Sequence, residues 1–359
     1  MEDKVLVAGI DMAGRIPRLA YWYTADASEP QIYENDAETL YSGDVSVFLT
    51  RVLTKLDAEY FSSICIATDV LTETVINDIT AKINGVYPDT KLSFISRAES
   101  IAHYSLNQKK ELRINDVAFF EFDEAGLVYN RFHTANSNGK VNVLVESRDC
   151  KDIINLEKLE NEDTVALDES FKRLINELFD KQHVSTVYLT GKGFVNEEWA
   201  KDSLNMLCNK RRVFKGQNLY AMGACYYNLV RDDEYRIVCD GRTAYETCLE
   251  VIYKEEKKEA VLIQAGKFCH EVGDVIVEGI VSGDQTKLVF IRRAVFGKEV
   301  IREEIDLSDI KDFKDRRLRI MLTLRVINDR ELLVIAEDAG FGAFAKKTGF
   351  RVEKILGNA

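Results

Sequence analysis

Apolar residues in the first third of the chain fall into short solid runs that alternate with longer helix-spaced stretches. KVLVAGID, RLAYWYT and QIYEN come first, the last two divided by the polar turn ASEP. They predict three strands. In VSVFLTRVLTKLDAEY, Val47, Leu49, Val52, Leu53 and Leu56 recur at helical spacing, with Asp44 placed to cap the start. SICIAT predicts a strand, TETVINDITAKI a helix, KLSFIS a strand and AESIAHYSL a helix. Short all-apolar strands between helices point to a sheet covered on both faces.

The same order runs again from residue 116. VAFFEFD, GLVYNRFH and KVNVLVES read as strands, then DESFKRLINELFDK as a helix. STVYLT, NEEWAKDSLNMLC, RRVF and NLYAMGACYYNL follow as strand, helix, strand, helix. Two rounds of βββαβαβα predict two layered α/β units, each with its own core. After residue 230 the helical spacing stops. TCLEVIYK, EAVLIQA, DVIVEGIV, KLVFIRRAV, LRIMLTLRV and ELLVIAED alternate, with turn signals such as SGDQ and NDRE between them, and predict a β-sandwich. The expected domains are 1–112, 113–230 and 231–359.

Four stretches in this order carry a resemblance: Gly9-Ile10-Asp11, Arg97-Ala98-Glu99-Ser100-Ile101-Ala102, Phe122-Asp123-Glu124-Ala125-Gly126, and Leu189-Thr190-Gly191-Lys192-Gly193-Phe194. They resemble the first phosphate hairpin, connecting helix, second phosphate hairpin and adenosine motif of the actin/hexokinase/heat-shock-chaperone ATPase superfamily, most of all its DnaK-type chaperones. The intervals are short, 112 positions from Asp11 to Asp123 and 68 from Asp123 to Gly191, so the resemblance is to a trimmed core. It implies a duplicated ribonuclease-H-like α/β core, the actin-like ATPase fold, clamping ATP or ADP with magnesium, followed by an all-β sandwich. The implied nucleotide residues are Asp11, Gly14, Asp123, Gly126, Gly191 and Gly193. In the sandwich, Ile252, Leu288 and Phe290 match strand positions that line the chaperones' peptide groove, although alternating strand residues face either a groove or the core. Tyr235-Arg236-Ile237-Val238-Cys239-Asp240 is similar to the chaperones' interdomain linker, and reads equally as the first strand of the sandwich. The chaperones' helical lid has no counterpart before Ala359.

The loops depart from the family where phosphate chemistry is most demanding. Phosphates are held by backbone N–H groups that glycine exposes and by hydroxyls that add donors. Arg15-Ile16-Pro17 stands where the family has hydroxyls, and Pro17 has no N–H. Ala125-Gly126-Leu127-Val128 replaces a glycine triplet. The aspartates and glycines of both hairpins also satisfy ordinary tight-turn chemistry.

Composition narrows the partners. The formal net charge of −12 disfavours nucleic acid. Seven scattered cysteines without a CxxC pair read as free thiols in a reducing compartment. His103, His133, His183 and His270 form no ligand cluster, so no metal is expected from protein ligands alone. The N-terminal MEDKVLVAGID is unlike a signal peptide, and no apolar run is long enough to span a membrane, so a cytoplasmic protein is expected. The expected function is a non-catalytic, chaperone-like or scaffold protein with a degenerate nucleotide site and no resident cofactor. Its expected partner is a protein or peptide, including another chaperone. The alternative is a nucleotide-dependent, DnaK-like chaperone or switch that binds ATP between the two α/β halves.

Overall fold

The computed structural model describes residues 4–14, 16–24, 29–33, 41–137, 140–161, 163–229, 235–282, 286–308 and 317–357. The chain forms two compact units, Met1–Asp240 and Gly241–Ala359.

The first unit holds two sheets with the same strand plan. One contains β1 (Val5–Asp11), β2 (Arg18–Tyr23), β3 (Gln31–Tyr33), β4 (Tyr60–Thr68) and β5 (Lys91–Ser96), in the order β3-β2-β1-β4-β5. The first three are antiparallel, and β4 and β5 continue parallel to β1. The second contains β6 (Asp116–Asp123), β7 (Gly126–Ser137), β8 (Lys140–Asp149), β9 (Val184–Thr190), β10 (Arg212–Lys215) and β11 (Tyr235–Val238), in the order β10-β9-β6-β7-β8-β11. Setting β11 aside, each half places its third, second, first, fourth and fifth strands side by side. That is the duplicated ribonuclease-H-like core of the actin-like ATPase fold.

One boundary moves. Tyr235–Val238 pairs parallel with β8 as an edge strand of the second sheet. It therefore opens no sandwich, and the α/β unit runs to Asp240 rather than ending near 230. Its backbone completes hydrogen bonds that the outer edge of β8 would otherwise leave open, a preference that apolar pattern alone does not reveal.

The helices form where their ends are capped and one stripe is apolar. α1 (Val45–Leu56) starts at Asp44, whose side chain accepts from the N–H groups of Ser46 and Val47 at 2.8 and 3.3 Å. It buries Val45, Phe48, Leu49, Val52 and Leu53, while Val47 faces outward. α2 (Glu73–Asn84) covers the same half. α3 (Arg97–Asn107) is capped by Ser96, which accepts from the Glu99 N–H at 3.1 Å. The second half adds α4 (Leu156–Asn161), α5 (Thr164–Leu178), α6 (Lys201–Cys208) and α7 (Leu219–Tyr227).

α3 and α7 are central because one apolar cluster joins both sheets through them. It contains Val7 and Trp22 of the first sheet, Phe119 and Phe132 of the second, Ile101 and Ala102 of α3, and Tyr220 and Cys225 of α7. Two glycines permit the close approach. A Cβ on Gly223 of α7 would lie 1.9 Å from the Ser100 carbonyl oxygen, and one on Gly9 of β1 would lie 2.0 Å from the Cys225 nitrogen. Backbone on both sides leaves nothing flexible to yield.

The second unit is a sandwich of two four-stranded sheets. One has the order β13-β12-β15-β16, from β12 (Tyr245–Tyr253), β13 (Glu256–Ile263), β15 (Lys287–Ala294) and β16 (Val300–Asp306). The other has the order β14-β17-β18-β19, from β14 (Val275–Val281), β17 (Leu318–Val326), β18 (Leu332–Asp338) and β19 (Arg351–Leu356). Alternate residues of both sheets meet in one core that includes Leu249, Phe290, Ile305, Leu322, Val334 and Leu356. Sequence pattern missed β16 and β19, whose charged stretches VIREEID and RVEKIL dilute the alternation. Among the described residues no helix is long and apolar enough to cross a membrane.

Gly223→Ala is expected to destabilise the protein by about 1–3 kcal/mol or more, as overpacking against backbone does. Gly273→Ala, whose Cβ would meet nothing within 4 Å, should be near neutral. Chemical denaturation of both variants checks this, and equal stabilities would contradict the crossing described.

Candidate functional site

β1 ends at Asp11, which is 3 % exposed. Its Oδ1 accepts from the Ala13 N–H at 3.2 Å, closing the turn on its own aspartate. Gly14 follows without a steric requirement for glycine, since a Cβ there would meet only Ile16 backbone at 3.5 Å. Arg15 lies outside the described residues, and Pro17 is buried.

At the second hairpin Asp123 pairs with Gly126 across a tight turn. Gly126 has φ of +101°, and a Cβ on it would press on Lys151 at 2.5 Å. Asp123 Oδ1 accepts from the Lys192 N–H at 2.8 Å, and its Oδ2 lies 3.7 Å from an Arg18 guanidinium nitrogen. Lys192 Nζ bonds Glu124 at 2.6 Å. Gly191, at φ +96°, has the Phe122 carbonyl oxygen 2.4 Å from where its Cβ would be. A Cβ on Gly193 would strike the Phe122 ring at 2.1 Å. Both glycines therefore answer to Phe122, which also packs on Phe194 and Trp199.

Between the hairpins lies an ion cluster that the sequence did not announce. Arg97, the first residue of α3, places its Nε 3.2 Å from Asp11 Oδ1 and an Nη 3.4 Å from Asp11 Oδ2. Its two terminal nitrogens donate to Glu121 of β6 at 2.9 and 2.5 Å. The guanidinium lies 3.6 Å over the Tyr220 ring at the start of α7. The Tyr220 hydroxyl donates to Glu121 Oε2 at 2.7 Å. Burial opposes the charge on Arg97, but Tyr220, Asp11 and Glu121 together outweigh it and raise its pKa above the ordinary arginine value. Burial pushes the Glu121 carboxyl above its usual range, with Arg97 and the Tyr220 hydroxyl pulling it back. Burial also raises the nearby Asp69 carboxyl, which Arg97 counteracts. One cation thus satisfies acids from β1 and β6 and stacks on an aromatic ring from α7.

The structure brings Asp11 into this cluster but leaves Gly14 outside it. Asp123, Gly126, Gly191 and Gly193 gather at the second hairpin with Lys192. Glu121 was legible as an acid set inside the apolar run VAFFEF, and Arg97 as an arginine opening the connecting helix; Tyr220 carried no signal. In the sandwich, Leu288 and Phe290 lie in the core at 4 % and 0 % exposed, whereas Ile252 is 66 % exposed. Those three do not line one groove, because alternate strand positions turned two of them toward the opposing sheet.

A magnesium-bound triphosphate needs carboxylate oxygens free to hold the metal's waters, and donors free for phosphate. Here both Asp11 oxygens face Arg97, and Asp123 is engaged by the Lys192 N–H with Arg18 beside it. These residues do not fit that group.

The fold and site define the class: a two-lobed actin-like core, closed at its centre by an internal arginine, followed by a β-sandwich. Residues 28–240 match the family of unknown function DUF5716, C-terminal. The chain belongs to that family. Residues 242–357 match DUF8552, a domain of unknown function. No curated protein matches the chain. Solved structures similar to it include the ROK hexokinase from Thermus thermophilus, at 12% identity over 63% of this chain and 100% of that one, TM-score 0.38. The inorganic polyphosphate/ATP-glucomannokinase from Arthrobacter sp. strain KM is similar at 10% identity, covering 62% and 98%, TM-score 0.42. The (R)-2-hydroxyglutaryl-CoA dehydratase component A from Acidaminococcus fermentans follows at 10% identity, covering 62% and 97%, TM-score 0.38. The fold assignment itself rests on the repeated strand order.

Arg97→Ala would leave two buried acids uncompensated and is expected to cost about 3–5 kcal/mol at neutral pH. With the opposing cation gone, the Glu121 carboxyl, which burial already raises, rises further above its unfolded value. A raised folded pKa contributes stability that is present at low pH and lost as pH climbs through it. The deficit of the variant should therefore shrink between pH 7 and about pH 5. Denaturation at several pH values checks this; a deficit independent of pH would contradict the cluster's charge assignment.

Proposed function

We propose that this chain is a non-catalytic interaction protein, a chaperone-like or scaffold partner, in which an actin-like core has exchanged its nucleotide for an internal ion lock. The observation that carries this reading is Arg97, whose guanidinium spans Asp11 and Glu121. A cation built into the chain does structurally what a bound metal would otherwise do: it neutralises acids brought together from both halves. The second hairpin supports the same reading, because Gly191 and Gly193 accommodate Phe122 and Asp123 is held by Lys192. The DnaK-type motif order supports the chaperone-like side, with a protein or peptide as partner. The cysteines form no disulfide, five of them are buried, and this supports a reducing compartment such as the cytoplasm.

A second reading, a nucleotide switch closing on ATP, is favoured by one observation: Asp11 and Asp123 end matching hairpins in the two halves. Calorimetry with the full chain, magnesium and ATP or ADP separates the two. No binding tighter than about 1 mM is expected. Micromolar binding that Asp123→Ala abolishes, with the fold intact, would establish the switch and reject the lock.

A further inference from the structure

β6 and β9 finish beside the second hairpin, at Asp123 and Thr190; at the opposite end they start at Asp116 and Val184, with β10 parallel to them and starting at Arg212. Two connections entering that opposite end are basic. Lys109, Lys110 and Arg113 lie in the short segment between α3 and β6, and Lys210, Arg211 and Arg212 where α6 turns into β10. Printed contacts in both directions hold the two connections side by side. The Thr186 hydroxyl of β9 donates to the Leu112 carbonyl at 2.6 Å, and an Arg212 guanidinium nitrogen lies 3.2 Å from Glu111.

Most of these cations have no counter-charge. Among the described residues no acid pairs with Lys109, Lys110, Arg113 or Lys210, and the Arg113 Nε is buried without an acceptor. Arg211 lies 4.7 Å over the Phe179 ring and donates to the Met206 carbonyl at 3.4 Å. Burial lowers its pKa, and no carboxylate among the described residues counters that. The acids at the same strand starts are already engaged. Glu111 meets Arg212, Asp116 meets Arg131 at 3.3 Å and His133 at 2.6 Å, and Asp180 lies 3.7 Å from Lys181. The charge of Glu29 is felt at the buried Tyr104 and Tyr226.

Apolar surface accompanies the charge. Ile114, next to Arg113, is 74 % exposed. Phe214 shares a strand face with Arg212, two positions away, and is 39 % exposed where it stacks on Tyr188. We propose that this corner binds an acidic segment of a partner polypeptide that carries an apolar residue among its acids. Carboxylates of the segment would supply the counter-charges that the chain does not, and its apolar residue would cover Ile114 and Phe214. Nucleic acid fits less well: it extends past one corner and would meet the rest of a chain of formal net charge −12. The inference gives the partner's chemistry for the interaction reading above and rests on that reading. Because the corner is at the far end of β6 from Asp123, peptide binding here and nucleotide binding at the hairpins are measured separately, and either can fail alone.

The test uses the full chain at low salt and a labelled peptide of glutamates around a central leucine, read by fluorescence anisotropy. Its counterparts carry glycine for the leucine or lysines for the glutamates, and a single-stranded oligonucleotide of matched charge represents the other ligand class. The glutamate–leucine peptide should bind roughly tenfold more tightly than the lysine peptide or the oligonucleotide, roughly threefold more tightly than the glycine peptide, and more weakly as salt rises. Lys109→Glu with Lys110→Glu, at exposed side chains without partners, should leave the melting temperature unchanged and weaken binding roughly tenfold. Lys346→Glu with Lys347→Glu makes the same change of charge at exposed positions of the sandwich and should leave binding nearly unchanged. Absence of binding, equal weakening by the two lysine pairs, no preference for leucine over glycine, or tighter binding of the oligonucleotide would overturn the proposal. Salt-sensitive self-association that Lys109→Glu with Lys110→Glu abolishes would overturn it too, in favour of a second copy.

Discussion

The α/β unit depends on one guanidinium. Arg97 opens α3, and its terminal nitrogens reach acids at the end of β1 and within β6 while its plane lies on a ring from α7. Each partner comes from a different element, so the group is satisfied only when both sheets and both helices are in place. Desolvating three charges is costly, and the return comes only with complete pairing. Such a cluster contributes more to the choice of one arrangement over others than to net stability.

The hairpin residues are held in place by contacts within the chain itself. Asp11 closes its own turn through Ala13, and Gly126 is required by its positive φ and by Lys151. Gly191 and Gly193 make room for Phe122. Apart from Gly14, the residues that resemble phosphate ligands have structural duties toward their own chain. The helix pair adds stiffness: at Gly223 the α7 backbone touches that of α3, and at Gly9 β1 touches α7. Closure around a ligand would have to move elements that share this contact.

The sandwich divides its alternating residues differently. Leu288 and Phe290 fill the space between its sheets, and the surfaces left over carry charged ladders such as Arg325–Asp274 and Arg351–Glu337. Among the outer strands of the sandwich, β14, with Glu278 as its one charge, is the exception to those ladders.

The sequence alone determined the element order. Apolar runs and helical stripes are local, and the duplicated βββαβαβα pattern, the helix cap at Asp44 and the all-β character of the last third follow from them. Local pattern failed where charge diluted alternation, at β16 and β19, and where an apolar stretch had two possible sheets, at Tyr235–Val238. The ion cluster was only half legible: Glu121 and Arg97 were anomalous in their surroundings, but their pairing spans 24 positions and Tyr220 lies 99 from Glu121. Only the tertiary structure decided that the arginine meets those acids and that the glycines meet Phe122. Periodicity specifies which face a residue occupies, whereas the partner on that face is set by how distant elements pack.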